Sequence, residues 1–260
     1  MGARVGIWPF GERTFLDSND ETWIVDTWAW FLQRLGGIES LRRATLVMPT
    51  RAFFAPTERT GHERAEHIFA SVKQYAGMLD WPCRLIAQPP RAELRVGEVT
   101  ALKPITQPPG GTFAFEGNEA TISYDPSGLD DPLKLVAVFI HELAHYRLAT
   151  LRVEVPGGEE MHEFATDLLT VYLGFGIFGA NSAFNFSQHH DTMSQGWKYS
   201  RSGYLNERAW VFALALFLDL RQQNPDDAKP FLKPHLFADM LKARRSIQKR
   251  GIASRLIGGA

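Results

Sequence analysis

The chain has 260 residues, of which 45% are hydrophobic and 22% charged, and its formal net charge is -1. That length supports a sizeable core, and the composition excludes a disordered or fibrous polymer. A near-neutral charge gives no whole-molecule attraction to nucleic acid or anionic lipid, so neither is an expected partner.

The single cysteine, Cys83, rules out an intrachain disulfide and fits a reducing compartment. Residues 1–15 carry Arg4, a Pro, a Gly and Glu12 where a signal peptide needs an unbroken apolar stretch. The longest apolar run elsewhere, residues 210–218, covers roughly a third of a membrane helix. A cytoplasmic protein without a membrane partner is expected.

In chain order, residues 22–35 show a helical pattern of Trp23, Ile24, Trp28, Phe31 and Leu35, ended by Gly36-Gly37. Residues 44–48 form a short apolar run stopped by Pro49, a candidate strand. Residues 60–79 read as a helix with Ala65, Ile68, Phe69, Val72, Tyr75 and Ala76 on one side, and 82–87 as the next strand. A β–α–β unit is one arrangement of these three. Residues 88–111 are rich in Pro and Gly and form a connector, with a short strand at 94–99. Residues 112–115 and 120–124 flank Glu116-Gly117-Asn118-Glu119, a hairpin pattern.

From 131 onward the sequence is helical. Asp131 caps, Pro132 takes the first helical position, and the helix runs to about 151. Gly157-Gly158 breaks the chain. A second helix spans 160–173 and ends in the region of Gly174, Gly176 and Gly179, where a tight turn with close backbone packing is expected. Further helices cover 206–221, a buried support, and 236–249. The expected organisation is one unit over 1–260, with a mixed α/β part at 1–125 and a mainly helical part at 126–260 that carries the chemistry.

That chemistry lies in His141-Glu142-Leu143-Ala144-His145. Four residues apart on a helix, His141 and His145 point the same way and can reach one metal ion. Glu142 is turned about 100° round the axis from His141, placed to take a proton from water without being a ligand itself. The surrounding residues are apolar almost all round the helix, where two histidines and a glutamate are costly unless something satisfies them. A catalytic zinc site needs a third protein ligand and leaves one position open. Glu163 is the assigned third ligand, with Asp167 one turn on as a partner for the outward N–H of a histidine. Asp167 could exchange roles with Glu163, and His162, Glu159 and Glu160 are lesser candidates.

The pattern of His141, Glu142 and His145 followed by Glu163 and Asp167 resembles that of the gluzincin class of zinc metallopeptidases. It is also similar to uncharacterised bacterial zincin-like proteins with a comparable second helix. The resemblance covers about residues 131–173. It implies an α+β, zincin-like fold that binds Zn2+ through His141, His145 and Glu163, with Glu142 as general base and Asp167 behind the ligands. The implied activity is hydrolysis of a peptide or protein substrate by metal-activated water. Only 17 residues separate His145 from Glu163, and Tyr146-Arg147-Leu148-Ala149-Thr150 lacks the third histidine of the metzincin pattern.

Hydrolysis also benefits from a donor facing the developing oxyanion. Tyr199 and His190, in the polar segment 185–204 that also holds His189, Arg201 and Tyr204, are the expected candidates, on a loop able to rim the site. Lys242, Arg244, Arg245, Lys249, Arg250 and Arg255 make the tail basic, read as a solvated helix face. Cys83 has no nearby histidine and reads as a structural thiol. The rival reading is a non-catalytic zinc-binding or interaction protein of degenerate peptidase fold.

Overall fold

The structure is a computed structural model, and it describes residues 14–89, 110–116, 119–188 and 205–259. The fold is mixed α+β, dominated by helices with one small sheet. The expected strand at 94–99, the hairpin tip, and the candidates His190 and Tyr199 lie outside the described residues.

Helix α1 (Ser18–Arg34) starts earlier than its apolar pattern, because the Asp17 side chain accepts from Asn19 N. Leu35 closes it, and Gly36 at φ 91° turns the chain directly into α2 (Gly37–Arg43), which periodicity alone does not reveal. Residues 44–48 are not a strand. They run over the start of the turn at Gly174, where Val47 N donates to Gly174 O at 2.9 Å. A β-carbon on Gly174 would lie 2.0 Å from the Thr45 carbonyl oxygen, so this crossing requires glycine. The apolar run at 44–48 is thus buried against a helix turn rather than paired in the sheet, and the β–α–β unit does not form.

Helix α3 (Gly61–Tyr75) buries Ala65, Ile68, Phe69 and Val72, as its pattern dictates. Strand β1 (Cys83–Ala87) follows, then the hairpin of β2 (Gly111–Glu116) and β3 (Glu119–Tyr124). The sheet order is β1-β3-β2, with β1 parallel and β2 antiparallel to β3. Among the described residues, β2 is therefore an edge of the sheet.

Helix α4 (Pro132–Leu151) begins where expected, with the Asp131 carboxylate accepting from Lys134 N at 3.1 Å. It separates two apolar clusters. Phe139, Ile140, Leu143 and Tyr146 pack with α3 and the sheet, while Ala144 and Leu148 join the helical cluster. That second cluster is built by α1, α5 (His162–Tyr172), α6 (Gly176–Gln188), α7 (Glu207–Leu220), α8 (Pro234–Lys249) and α9 (Ile252–Gly258). Helix α1 thus packs with the C-terminal helices rather than with the sheet beside it in sequence.

The glycines at 176 and 179 lie inside α6 instead of in a loop. A β-carbon on Gly179 would stand 2.1 Å from Cζ3 of Trp210, so this glycine gives α6 room to close on α7. Close packing is as expected there, but the turn is confined to residues 173–175. In the basic tail, Arg244 pairs with Asp219 at 3.3 Å and Arg250 with the buried Glu21, so part of it faces inward. Among the described residues, no helix is long and apolar enough to cross a membrane.

Candidate metal centre

Two helices build the centre. Helix α4 is buried on nearly every side, with His141 and His145 facing α5 and the Glu142 carboxylate facing β2. The connection between them turns through Gly157 and Gly158, at φ 91° and 77°, and is tied to α1 where Trp23 Nε1 donates to Pro156 O at 2.8 Å. Helix α5 then buries every residue from Phe164 to Tyr172, which locks Glu163, Thr166 and Asp167 onto the face toward α4.

The three expected ligand atoms converge. His141 Nε2 and His145 Nε2 are 3.1 Å apart, and Glu163 Oε2 lies 3.2 Å from the first and 3.4 Å from the second. The edge of a tetrahedron with metal bonds of about 2.0–2.1 Å is about 3.3–3.4 Å. This triangle is therefore of the size needed for three donors around one small cation, and the group could hold a metal ion. Solvent has a way in: the Glu163 side chain is 42% exposed, against 12% for His141 and 16% for His145.

The opposite ring nitrogens are tied back. His141 Nδ1 donates to Asp167 Oδ1 at 3.1 Å, and the other oxygen of Asp167 accepts from Leu205 N at 2.9 Å. The Thr166 hydroxyl donates to the His162 carbonyl at 2.9 Å, which leaves its oxygen to accept from His145 Nδ1 at 3.3 Å. With both Nδ1 atoms engaged as donors, the Nε2 lone pairs are turned on each other and on a carboxylate. Three acceptors facing one point repel unless a cation sits among them.

Without a metal, a proton takes that part. Burial opposes charge on His141, but hydrogen bonds to Asp167 and Glu163 outweigh it and raise its pKa from 6.5 to about 10. Burial would raise Glu163, yet its bonds to His141 and His145 hold it well below the usual carboxylate range. Burial also pushes Glu142 up, with the two histidines pulling the other way. Glu142 is 6% exposed and belongs to no part of the triangle. Its Oε1 lies against β2, only 3.0 Å from where a β-carbon on Gly111 would be.

Asp167 meets the back of His141, not the triangle. His162 stacks on the His145 ring, with centroids 5.3 Å apart and planes 10° from parallel, and stays outside the triangle. Glu159 and Glu160 are exposed and outside it too. Two participants escape the sequence reading, Thr166 and Gly111. Thr166 was legible as position i+3 from Glu163, on the same face as Asp167 at i+4, whereas nothing local marks Gly111. A cavity of about 590 Å³ between residues 49–60, α3 and the first turn of α4 contains none of the triangle residues. Cys83 is half-buried on β1, and burial raises its thiol to about 11, which leaves it a poor nucleophile. Compared with protein-family models, curated proteins and solved structures, the chain matches none.

Proposed function

We propose that this protein is a zinc-dependent peptidase in which His141, His145 and Glu163 hold the metal and Glu142 is the general base. The observation that carries this reading is the triangle of 3.1, 3.2 and 3.4 Å between donor atoms whose other nitrogens are tied back. Two imidazoles and one carboxylate suit zinc and leave a fourth position free. Zinc bound there supplies Lewis acidity and makes water acidic near neutral pH.

The chain's own residues supply the rest. Glu142, outside the triangle and with its proton affinity raised by burial, takes a proton from water and returns it to the leaving nitrogen. Asp167 and Thr166 hold the two rings with Nε2 forward. Among the described residues β2 is an edge whose Gly111 abuts Glu142, so an extended peptide adding to that edge would bring its backbone near the proposed general base.

The test is paired. Purified protein should hold about one zinc per chain and cleave a peptide mixture, and Glu142→Gln should keep the zinc while losing hydrolysis by at least about 100-fold. Zinc retention with no cleavage in the unaltered protein would favour a non-catalytic metal-binding role. Absence of zinc after metal supply would overturn the site itself.

A further inference from the structure

The cavity of about 590 Å³ between residues 49–60, α3 and the first turn of α4 has the size of a small-molecule site, for which about 300–1,000 Å³ is usual. Phe54, Ile68, Leu133, Val136 and Phe178 give it apolar walls. Leu133 is 49% exposed, so part of this apolar surface is open to a ligand.

The fold fixes the shape of the cavity. His67 Nε2 donates to Ala55 O at 3.0 Å and the Tyr75 hydroxyl to Ala52 O at 3.4 Å, which ties residues 52–55 to α3. Phe53 N and Phe54 N both donate to Thr50 O, and the Phe54 ring meets Phe178 of α6 edge-on with centroids 5.7 Å apart.

The charges around it do not balance. Arg51, Arg59 and Arg64 line the cavity with Glu58 as the single acid, in a chain whose net charge is -1. Among the described residues none of the three arginines is in an ion pair, with Glu58 or any other acid. Asp131, engaged with Lys134 N at the start of α4, and Glu63, in the first turn of α3, do not line the cavity. Thr60 does line it, and as N-cap of α3 its side chain makes no capping bond. The positive end of a 15-residue helix thus adds to three guanidiniums. Arginines gain nothing from that end of a helix, whereas an anion is stabilised by both.

We propose that this cavity binds a small amphipathic anion, its apolar body against Phe54, Ile68, Leu133 and Phe178 and its carboxylate or phosphate head among Arg51, Arg59 and Arg64. Guanidinium forks pair with either oxyanion in bidentate fashion. Covering the open face of Leu133 supplies the apolar share of the binding. None of His141, His145 and Glu163 lines the cavity, so the assignment is independent of the metal centre.

The test is calorimetric titration of the full chain at low salt with decanoate and monodecyl phosphate, below micelle-forming concentrations. Acetate, inorganic phosphate and decyltrimethylammonium run beside them, in zinc-loaded and zinc-stripped protein. Decanoate or monodecyl phosphate should bind one-to-one with or without zinc, the tighter of the two naming the head. That binding should be at least about 10-fold tighter than the bare anions and the cationic amphiphile. It should weaken at least about 10-fold in Arg51→Gln/Arg59→Gln/Arg64→Gln. Leu133→Glu, an acid suited to a helix N terminus, should fold and weaken it as well. Thermal melts check folding, and Arg51→Gln/Arg59→Gln, at two exposed positions, serves if the triple variant fails to fold and should itself weaken binding. No binding of either anionic amphiphile, equal binding of decyltrimethylammonium or of the bare anions, parent-like binding by folded arginine variants, or binding that vanishes with zinc would each overturn the proposal.

Discussion

The Thr166 hydroxyl donates to the His162 carbonyl at 2.9 Å and faces Nδ1 of His145 at 3.3 Å, so one side chain selects the tautomer of a histidine on another helix. Asp167, the next residue, does the same for His141 at 3.1 Å. Removing the threonine oxygen leaves an N–H without an acceptor and lets the ring turn. Thr166→Val is nearly isosteric and is expected to lower zinc affinity about 10–100-fold, measured by competition with a chromophoric chelator. Unchanged affinity would show that the hydroxyl serves only α5.

Metal uptake should expel a proton. His141, with a pKa of about 10 in the metal-free protein, is an imidazolium at neutral pH. Since its folded pKa is raised, its stabilising charge is fully present below about pH 6.5 and fades as pH rises through about 10. Zinc must displace that proton, so apparent affinity is expected to climb between pH 7 and pH 9, with up to about one proton released per zinc at pH 7.5. Calorimetry in buffers of different ionisation enthalpy measures the release. A value of zero would contradict the charged His141.

Gly111 makes room for Glu142, the proposed general base. An added β-carbon would meet Val138 Cγ1 at 2.6 Å and Glu142 Oε1 and Ser123 O at 3.0 Å. The carboxylate end of Glu142 is the more movable neighbour. Gly111→Ala is expected to cost about 1–3 kcal/mol of stability and to reduce hydrolysis with little loss of zinc. Chemical denaturation and metal analysis separate the two effects. Parent-like activity would show that the Glu142 position is not set by β2.

Asp20 is a removable liability. It is 7% exposed in the first turn of α1, where burial, followed by the charge of Asp17, raises its carboxyl from 3.8 to about 6. The folded state then holds this proton more tightly than the unfolded chain. The cost of the charge is absent below about pH 4, grows to about pH 6 and is complete above it. Asp20→Asn is expected to raise Tm at pH 7.5 by about 2–4 °C, with the gain vanishing toward pH 4. An equal gain at both pH values would assign the effect to something other than charge.

Much of this molecule is written locally. The Asp131-Pro132 start of α4, the apolar stripe of α3, the hairpin of β2 and β3, and the i, i+4 pairing of His141 with His145 each depend on neighbours within a few residues. Capping, periodicity and turn chemistry act over that range, so the sequence determined these features unaided. It also put Glu163 and Asp167 on one helical face, without distinguishing their roles.

Tertiary structure decided what lies across chain breaks. Residues 44–48 have the apolar character of a strand, but their partner is the turn at Gly174, reached only when α5 packs beside them. Helix α6 carries Gly179 because Trp210 occupies the space where a side chain would be. Glu163 meets both Nε2 atoms and Asp167 meets the back of His141 because the rotation of α5 is fixed by the residues it buries. Hydrophobic periodicity specifies which face of a helix is inward. The depth and angle at which two such faces meet depend on the whole set of packed side chains, and the 3.1–3.4 Å separations among His141, His145 and Glu163 exist only once that packing is complete.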